Sequence, residues 1–317
     1  MIFKFFRHIT ACFLCAAMIF SMCACGVDKH AYSPDAIRVT DALGREVEIK
    51  KNPSRVAALL GSFADVWTLA GGELCAAAGD AWEDFGLELE DALNIGGAHS
   101  PSLELLISSE PELVLASAST ASNVAMRESL EGMGITVVYF EVDNFEDYLN
   151  MLDVCTDITG RKDLYSKNGT DIAVRIEEIK ADFANADLDE SEKRILLLRA
   201  SAGMVKAKGS EGTILGEMLR DIGCVNIADS DTSLLETLSV ESVMEQEPYR
   251  IFAVTMGNDT EAARRSLTKM MEENPAWSTL EAVKENRLHL MEKELFNIKP
   301  NARWAEAYER LYETFTK

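Results

Sequence analysis

Histidine and cysteine, the side chains that most often hold metals or act as nucleophiles, are scarce in the body of this chain. Of its four histidines, only His99 and His289 fall there, and they stand far apart in the sequence. A zinc or manganese site needs several imidazole and carboxylate ligands that converge. Two scattered histidines therefore argue against a site for a bare metal ion. His289 lies in the apolar segment RLHLM, which is typical of a structural residue, whereas His99 lies in a loop.

The cysteines favour structural roles as well. Four of the seven stand in the first 25 residues, and the body holds only Cys75, Cys155 and Cys224. Three cysteines cannot all pair internally. Because each has apolar neighbours, the sequence predicts three free thiols that behave as small hydrophobic side chains.

The common catalytic motifs are missing from the sequence. It has no G-x-S-x-G, no G-x-x-x-x-G-K-[ST] and no H-E-x-x-H. Gly209, Gly212 and Gly216 lack the spacing of a dinucleotide-binding loop. We therefore expect a protein that is not an enzyme, with a surface hydrolase or a redox protein as the alternative.

The composition limits the partners. The 31 basic and 53 acidic residues give a net charge of −22 at pH 7, and 47% of residues are hydrophobic. This balance is typical of a globular protein. An acidic surface repels phosphate backbones, so a nucleic-acid partner is not expected.

The N-terminus resembles an export signal. Lys4 and Arg7 precede an uncharged apolar run over 9–24, which is shorter than the roughly 20 residues of a membrane-spanning helix. Cys25 follows Ala24 and precedes a glycine, as in a bacterial lipobox, although Met22 stands where leucine is usual. We predict a signal peptide over 1–24, lipidation of Cys25 and a tether over 25–36, with an ordinary signal peptide as the alternative. Cleavage would leave 29 basic and 53 acidic residues, a charge of −24.

The rest of the chain alternates short apolar strands with helices. A hairpin is predicted from 37–40 and 47–49, and an amphipathic helix over 145–159. Strands such as PELVLA and KRILLLRA are apolar along their whole length, which is typical of a buried parallel sheet. The pattern restarts near residue 193. The sequence therefore predicts an α/β fold in two halves.

An internal repeat supports the two halves. The segments SLELLISSEPELVLA (102–116) and SVESVMEQEPYRIFA (239–253) align without a gap. Each predicts a helix with an N-cap serine, a proline that ends the helix, and a strand that enters the sheet. Two related lobes are the simplest explanation.

Three stretches carry a family resemblance that spans about residues 37–317. They are VTDALGREVEIKKNPSRVAAL, IGGAHSPSLELLISSEPELVLAS and NPAWSTLEAVKENRLHLMEKELFNIKPNARWAEAY. All three resemble the substrate-binding lipoproteins of ABC importers for ferric siderophores, haem and cobalamin. The resemblance implies two α/β lobes, each with a mainly parallel sheet flanked by helices. One long bridging helix joins them, and ligand binds in the cleft between them.

The resemblance also sets the expected boundaries. We predict an N-terminal lobe over 37–160, the bridging helix over 161–187 and a C-terminal lobe over 188–317. Asn168-Gly169 is a poor pair for a helix interior, so the bridge should be kinked there or begin only at Thr170.

The cleft should be lined by loops at the carboxyl ends of the strands. Trp82 and Phe296 offer flat faces for a large ligand, Arg199 and Lys206 offer positive charge, and His99 is a possible ligand of haem iron. The full set of expected ligand-binding residues is Ser62, Phe63, Trp82, His99, Ser117, Arg199, Lys206, Met256 and Phe296.

The remaining expectations concern partners. In the resembled family, Glu104 and Glu241 would pair with arginines on the two subunits of an ABC permease dimer, which works with ATPase subunits. The protein is expected to be a monomer, lipid-anchored on the outer face of the cytoplasmic membrane, with no intrinsic cofactor. Its ligand should be a ferric siderophore or haem, with a cobalamin-type corrinoid as the alternative.

Overall fold

The computed structural model describes residues 35–186 and 188–316. The predicted signal peptide and Cys25 lie outside the described residues, so both stay predictions. Residues 37–317 form one compact unit. Across the described ranges, no helix has the length and apolar character needed to cross a membrane.

The first lobe contains nine strands, and five of them form its main sheet. These nine are Ala36–Thr40 (β1), Glu46–Lys50 (β2), Val56–Ala58 (β3), Ala76–Ala77 (β4), Leu93–Asn94 (β5), Gly96–Gly97 (β6), Ser100–Pro101 (β7), Leu113–Ser117 (β8) and Thr136–Phe140 (β9). The main sheet has the order β5-β4-β3-β8-β9 and is parallel throughout. The pairs β1-β2 and β6-β7 form separate two-stranded sheets, and the first of them confirms the predicted hairpin.

Six helices belong to this lobe. They are Gly61–Leu69 (α1), Asp80–Glu83 (α2), Leu103–Ser108 (α3), Ala121–Ala125 (α4), Arg127–Gly132 (α5) and Phe145–Thr159 (α6). The last one has the bounds that the sequence predicts. Its first turn is stabilised by a capping box, in which Asn144 and Asp147 each bond the other's backbone N–H.

A single long helix follows the first lobe. It is built from Lys162–Tyr165 (α7), a π-helical turn at Ser166–Thr170 and Asp171–Asn185 (α8). At 1.5 Å per residue this run is roughly 36 Å long. The helix therefore does not break at Asn168-Gly169. The wider turn accommodates the pair, because the Asn168 side chain donates to Leu69 O and the Asn168 carbonyl accepts from Tyr148 Oη.

The second lobe repeats the plan around another five-stranded sheet. Its strands are Arg194–Ala200 (β10), Val205–Ala207 (β11), Val225–Asn226 (β12), Arg250–Thr255 (β13) and Leu288–Met291 (β14). The order is β11-β10-β13-β14, with β12 also paired to β10. Only the β10-β11 pair is antiparallel.

Short helices surround this second sheet. They are Ile214–Asp221 (α9), Ile227–Ser230 (α10), Ser233–Glu236 (α11), Val240–Gln246 (α12), Thr260–Glu273 (α13), Glu281–Lys284 (α14) and Lys293–Phe296 (α15), with 3₁₀ turns at Pro275–Thr279 and Asn301–Arg303. The final helix, Trp304–Thr316 (α16), packs on the bridging helix. Phe183 of α8 makes edge-to-face contacts with Tyr312 and Phe315, at centroid distances of 5.2 and 5.5 Å.

The core has three parts. A central cluster joins one face of each sheet through α6, α8 and α16, and includes Val56, Leu115, Leu197 and Phe252. Two further clusters cover the outer face of the first sheet and the outer face of the second. The fold class is therefore the predicted one, two α/β lobes and a bridging helix. The exact lobe boundaries stay a prediction.

The internal repeat is a repeat of structure. Ser102 and Ser239 each accept a hydrogen bond from the N–H three residues on, and thereby cap α3 and α12. Glu110 and Glu247 then take matching left-handed conformations, with φ of 49° and 46°. In both lobes an arginine at the start of the adjacent strand donates to the carbonyls that end the helix, Arg55 in the first and Arg194 in the second.

Candidate functional site

The carboxyl ends of the strands of both sheets build the candidate site, since ligands of open α/β sheets bind at that edge. In the first lobe the edge is formed by the turns after β3, β4, β8 and β9. Asp80 closes one of these turns, because its Oδ2 accepts from the Gly61 N–H at 2.8 Å. Position 61 must be glycine, since a Cβ there would lie 2.5 Å from the Ala81 nitrogen.

The second lobe carries three cations at and below the carboxyl edge of β10, namely Arg199, Lys206 and Lys208, here called the basic triad. Arg199 and Lys206 are cross-strand partners in the β10-β11 register, so their side chains leave the same face of the sheet. Lys208 lies two residues beyond Lys206, on the same face. The strand pairing continues to this residue, because its N–H donates to Leu197 O at 2.9 Å.

No described acidic residue pairs with the basic triad. The buried Arg199 Nε has no hydrogen-bond partner among the described atoms. Burial lowers the pKa of Arg199. Burial also lowers the pKa of Lys208, and the charges of Arg199 and Lys206 add to that shift. Three cations without a described acidic partner create a positive potential that attracts anions.

The edge of the first lobe is acidic, and its counter-charges come from the second half of the chain. Lys293 Nζ lies 2.6 Å from Asp84 Oδ1. Burial lowers the pKa of Lys299, while Asp143 and Asp80 are among the carboxylates that act in the opposite direction. Two lysines from the second half of the chain therefore offset part of the negative charge at this edge.

These lysines belong to residues 292–304, here called the crossing segment, which leaves β14 and reaches the first lobe. Asn301 Nδ2 donates to Ser62 O at 2.9 Å and to Asp65 Oδ2 at 2.8 Å. The Trp304 ring meets Phe145 edge-to-face at 5.9 Å. The far end of the segment is therefore held by the first lobe.

Four of the predicted ligand-binding residues are buried. Phe63 and Phe296 are each 1% exposed in the central cluster, and Ser62 and Ser117 are also covered. Neither phenyl ring presents an open face, because each fills the core beneath the edge of a sheet. The expectation that Phe296 offers a flat surface does not match this burial.

The other predicted residues reach the surface. Trp82 is half-buried within α2, and His99 is exposed in the turn between β6 and β7. Met256 is 46% exposed after β13, and its N–H donates to Ala200 O beside the basic triad. The structure thus brings Arg199, Lys206 and Met256 together.

Within the described residues, no group of three or more His, Cys, Asp or Glu side chains could hold a metal ion. Cys155 and Cys224 are buried and Cys75 is half-buried, all three as free thiols. Burial raises the pKa of Cys224 to about 12, so this thiol stays protonated at neutral pH.

Glu104 and Glu241 are exposed in the first turns of α3 and α12. Glu241 accepts a hydrogen bond from Ser239 Oγ at 3.0 Å. It also lines a groove of about 1020 Å³ together with Met204, Met270 and Trp277.

Sequence reasoning missed Lys208, Lys293 and Lys299. The spacing of Lys206 and Lys208 contains the signal for the first, because residues two apart on a strand share a face. Lys293 and Lys299 have no such signal, since their partners are some 200 residues away in the chain.

Comparison with known proteins agrees with this architecture. The sequence profile of the periplasmic binding protein family matches residues 56–295. An iron-uptake system-binding protein of Bacillus subtilis is 24% identical over 196 residues, which span 62% of this chain and 59% of that relative. The ABC transporter substrate-binding lipoprotein YvrC of the same organism is 24% identical over 316 residues, or 96% of each chain.

A solved structure shows the same fold. SirA of Staphylococcus aureus, complexed with staphyloferrin B, superposes with a TM-score of 0.67 at 19% identity, covering 88% of this chain and 98% of that chain. Because the family profile covers most of the sequence and both sheets, the chain belongs to the periplasmic binding protein family.

Proposed function

We propose that this protein captures an anionic metal chelate in the cleft between its lobes and delivers it to the permease of an ABC importer. The observation that carries the proposal is the basic triad, three cations with no described acidic partner. A relative named for iron uptake supports an iron complex as the cargo. The iron arrives already chelated, because the described residues offer no cluster of ligands for a bare ion.

Two kinds of chelate satisfy the basic triad. A ferric siderophore with carboxylate or phenolate groups and haem with its propionates both carry negative charge that Arg199 can neutralise. Trp82 and Met256 would contact the apolar part of either ligand, and His99 is the candidate for haem ligation. A corrinoid, the alternative, would rely on Trp82 and leave the triad without a partner.

Titration of the purified full chain tests this proposal. Ferric siderophores, haem, cobalamin, free ferric ion and free zinc ion are added in turn, with tryptophan fluorescence and the visible spectrum as readouts. We expect saturable quenching by one iron chelate and none by the free ion. Equal responses to free ferric or zinc ions would contradict it, and cobalamin binding without iron-chelate binding would favour the alternative.

Delivery requires a surface that faces the permease. Glu104 and Glu241 stand at structurally equivalent helix starts, one on each lobe, so a permease dimer can engage both at once. One exposed ion pair contributes little free energy to docking. Two pairs that form together also depend on the distance between the lobes. The double variant Glu104→Arg with Glu241→Arg should keep ligand affinity and abolish uptake by whole cells.

Lipidation at Cys25 would hold the protein on the outer face of the membrane, as a monomer beside its transporter. A relative named as a lipoprotein supports this assignment. Cys25→Ala should release the protein from the membrane fraction. Retention of the variant on membranes would contradict lipidation without touching the ligand assignment.

We assign no catalytic role to these residues. A surface hydrolase or redox protein, the other class, would turn over a chromogenic ester or retain a flavin after purification.

A further inference from the structure

The ion pair between Asp84 and Lys293 stands apart from the other described ion pairs. It joins the residue after α2 of the first lobe to the first residue of α15 in the second, 209 positions along the chain. No other ion pair within the described ranges links the two lobes directly without using the bridging helix or α16. Its side chains are 10% and 26% exposed, so solvent and salt screen it weakly.

The two ends of the crossing segment are held by different lobes. Just before Lys293, β14 is hydrogen-bonded into the second sheet, with Met291 opposite Val254. At the other end, Asn301 and Trp304 contact α1 and α6 of the first lobe. If the lobes separate, the residues between these two anchors must stretch. The Asp84–Lys293 contact is then broken, because its partners belong to the two edges that move apart.

Breaking this contact leaves two poorly solvated charges without partners. Removing one member of a covered ion pair is costly because the other charge remains buried. The pair therefore opposes opening of the cleft whether or not a ligand is present.

We propose that Asp84 and Lys293 form an interlobe latch, which fixes the spacing of the two lobes in the ligand-free protein. The latch does not depend on which chelate is bound, so it can be tested without ligand. Its failure would leave the proposed binding function untouched.

Spin-label distance measurements on the full chain test the latch. Labels are placed at Glu104→Cys and Glu241→Cys, one on each lobe, and Cys75 is replaced by Ser in every protein compared. We expect one narrow distance distribution in the otherwise unchanged protein. Asp84→Asn and Lys293→Gln should each add a population at longer distance.

Two further variants make the result decisive. Lys269→Gln, which breaks an exposed ion pair with Glu273 inside the second lobe, should leave the distribution unchanged. The exchanged pair Asp84→Lys with Lys293→Asp should restore the narrow distribution. A distribution in Asp84→Asn and Lys293→Gln equal to that of the unchanged protein would overturn the latch.

The exchanged pair also decides the case in which the single variants do not fold. If it folds with the narrow distribution, the contact between opposite charges holds the lobes, as proposed. If it folds with long distances, or does not fold, the latch is excluded.

Discussion

The two walls of the cleft use their charges differently. Carboxylates on the first lobe meet Lys293 and Lys299, which the second half of the chain supplies. The basic triad on the second lobe meets no described acidic side chain. Both walls come from one repeated architecture, but Arg199 and Lys206 stand on the antiparallel β10-β11 pair, which the wholly parallel main sheet of the first lobe lacks. We infer that charges on the first wall serve closure, whereas those on the second are kept for the ligand.

The largest effect should follow removal of two charges from the second wall. Arg199→Gln with Lys208→Gln should weaken binding of the iron chelate about 100-fold, since a hydrogen bond to a charged group contributes about 1.5–3 kcal/mol. Fluorescence titration measures this change. The matched control, Arg38→Gln with Lys51→Gln, removes the same charge from one exposed residue of β1 and the exposed residue that follows β2.

The control separates a local effect from the total charge of the protein. If both double variants lose affinity equally, long-range attraction explains the binding and the triad is not a contact site.

The next-largest effect, on the free energy of unfolding, concerns the hydrogen bonds between the first lobe and the crossing segment. Asn301→Ala removes two hydrogen bonds from a fully buried side chain at φ 51°. We expect a loss of about 3 kcal/mol in the free energy of unfolding, measured with urea. Asn301→Gly should lose about 1 kcal/mol less, because glycine tolerates the positive φ.

Asn286 is the matched control for backbone strain. It has a φ of 55° but is exposed, so Asn286→Ala should lose only about 1 kcal/mol. Equal losses for the two alanine variants would show that the contacts of Asn301 with the first lobe contribute nothing.

A smaller effect should appear in the pH dependence of binding. Because the pKa of Lys208 is lowered, its charge is lost at a lower pH than that of an ordinary lysine. A bound anion raises this pKa again, so affinity should be highest at lower pH and fall as the pH rises toward the ordinary lysine pKa of 10.5. The folding stability of the ligand-free protein depends on pH with the opposite sign. The unfolded chain binds this proton more tightly, so Lys208 adds stability as the pH rises through the same range.

Lys208→Arg is the test of this assignment. Arginine keeps its charge over the whole range, so the variant should bind with a flatter profile in the same titration. An unchanged slope would assign the pH dependence to another group or to the ligand.

The smallest effect concerns how tightly the π-helical turn of the bridging helix is packed, and Gly132 at the end of α5 serves as the comparison. A Cβ on Gly169, in the π-helical turn against the first lobe, would lie 3.0 Å from Leu149 Cδ2 and 3.3 Å from Leu152 Cδ2. In Gly169→Ala, this crowding should cancel the gain in stability of up to about 1 kcal/mol that alanine has over glycine in a helix. Gly132→Ala, where a Cβ meets nothing within 4 Å, should keep part of that gain. Thermal unfolding compares the two, and equal stabilisation would mean that the turn is loosely packed.

The sequence was sufficient for features that depend on short stretches. Apolar strands, the Ser102 and Ser239 caps and the bounds of α6 follow from local patterns, and the structure confirms them. Of the two alternatives for Asn168-Gly169, a helix that begins only at Thr170 is wrong, because a π-helical turn accommodates the polar pair through its partners Leu69 and Tyr148, which are distant in sequence.

The candidate site was predictable only in part. Arg199 and Lys206 stood out as charges at a strand end, and the structure places them side by side. Phe296 looked equally suitable, yet its ring is buried. Its exposure is decided by how the crossing segment docks on the first lobe, and no local pattern encodes that docking.

The bonds from Asn301 to the first lobe also constrain the order in which the chain folds. Ser62 and Asn301 are 239 positions apart, so the first lobe lacks part of its edge until nearly the last residues have emerged from synthesis. Contacts of such long range form slowly, because the closure of a large loop precedes any gain from them. An N-terminal fragment, however complete its sheet, would therefore remain open to proteases and chaperones. We expect that fragment to become protected from proteolysis only once the C-terminal helix is added.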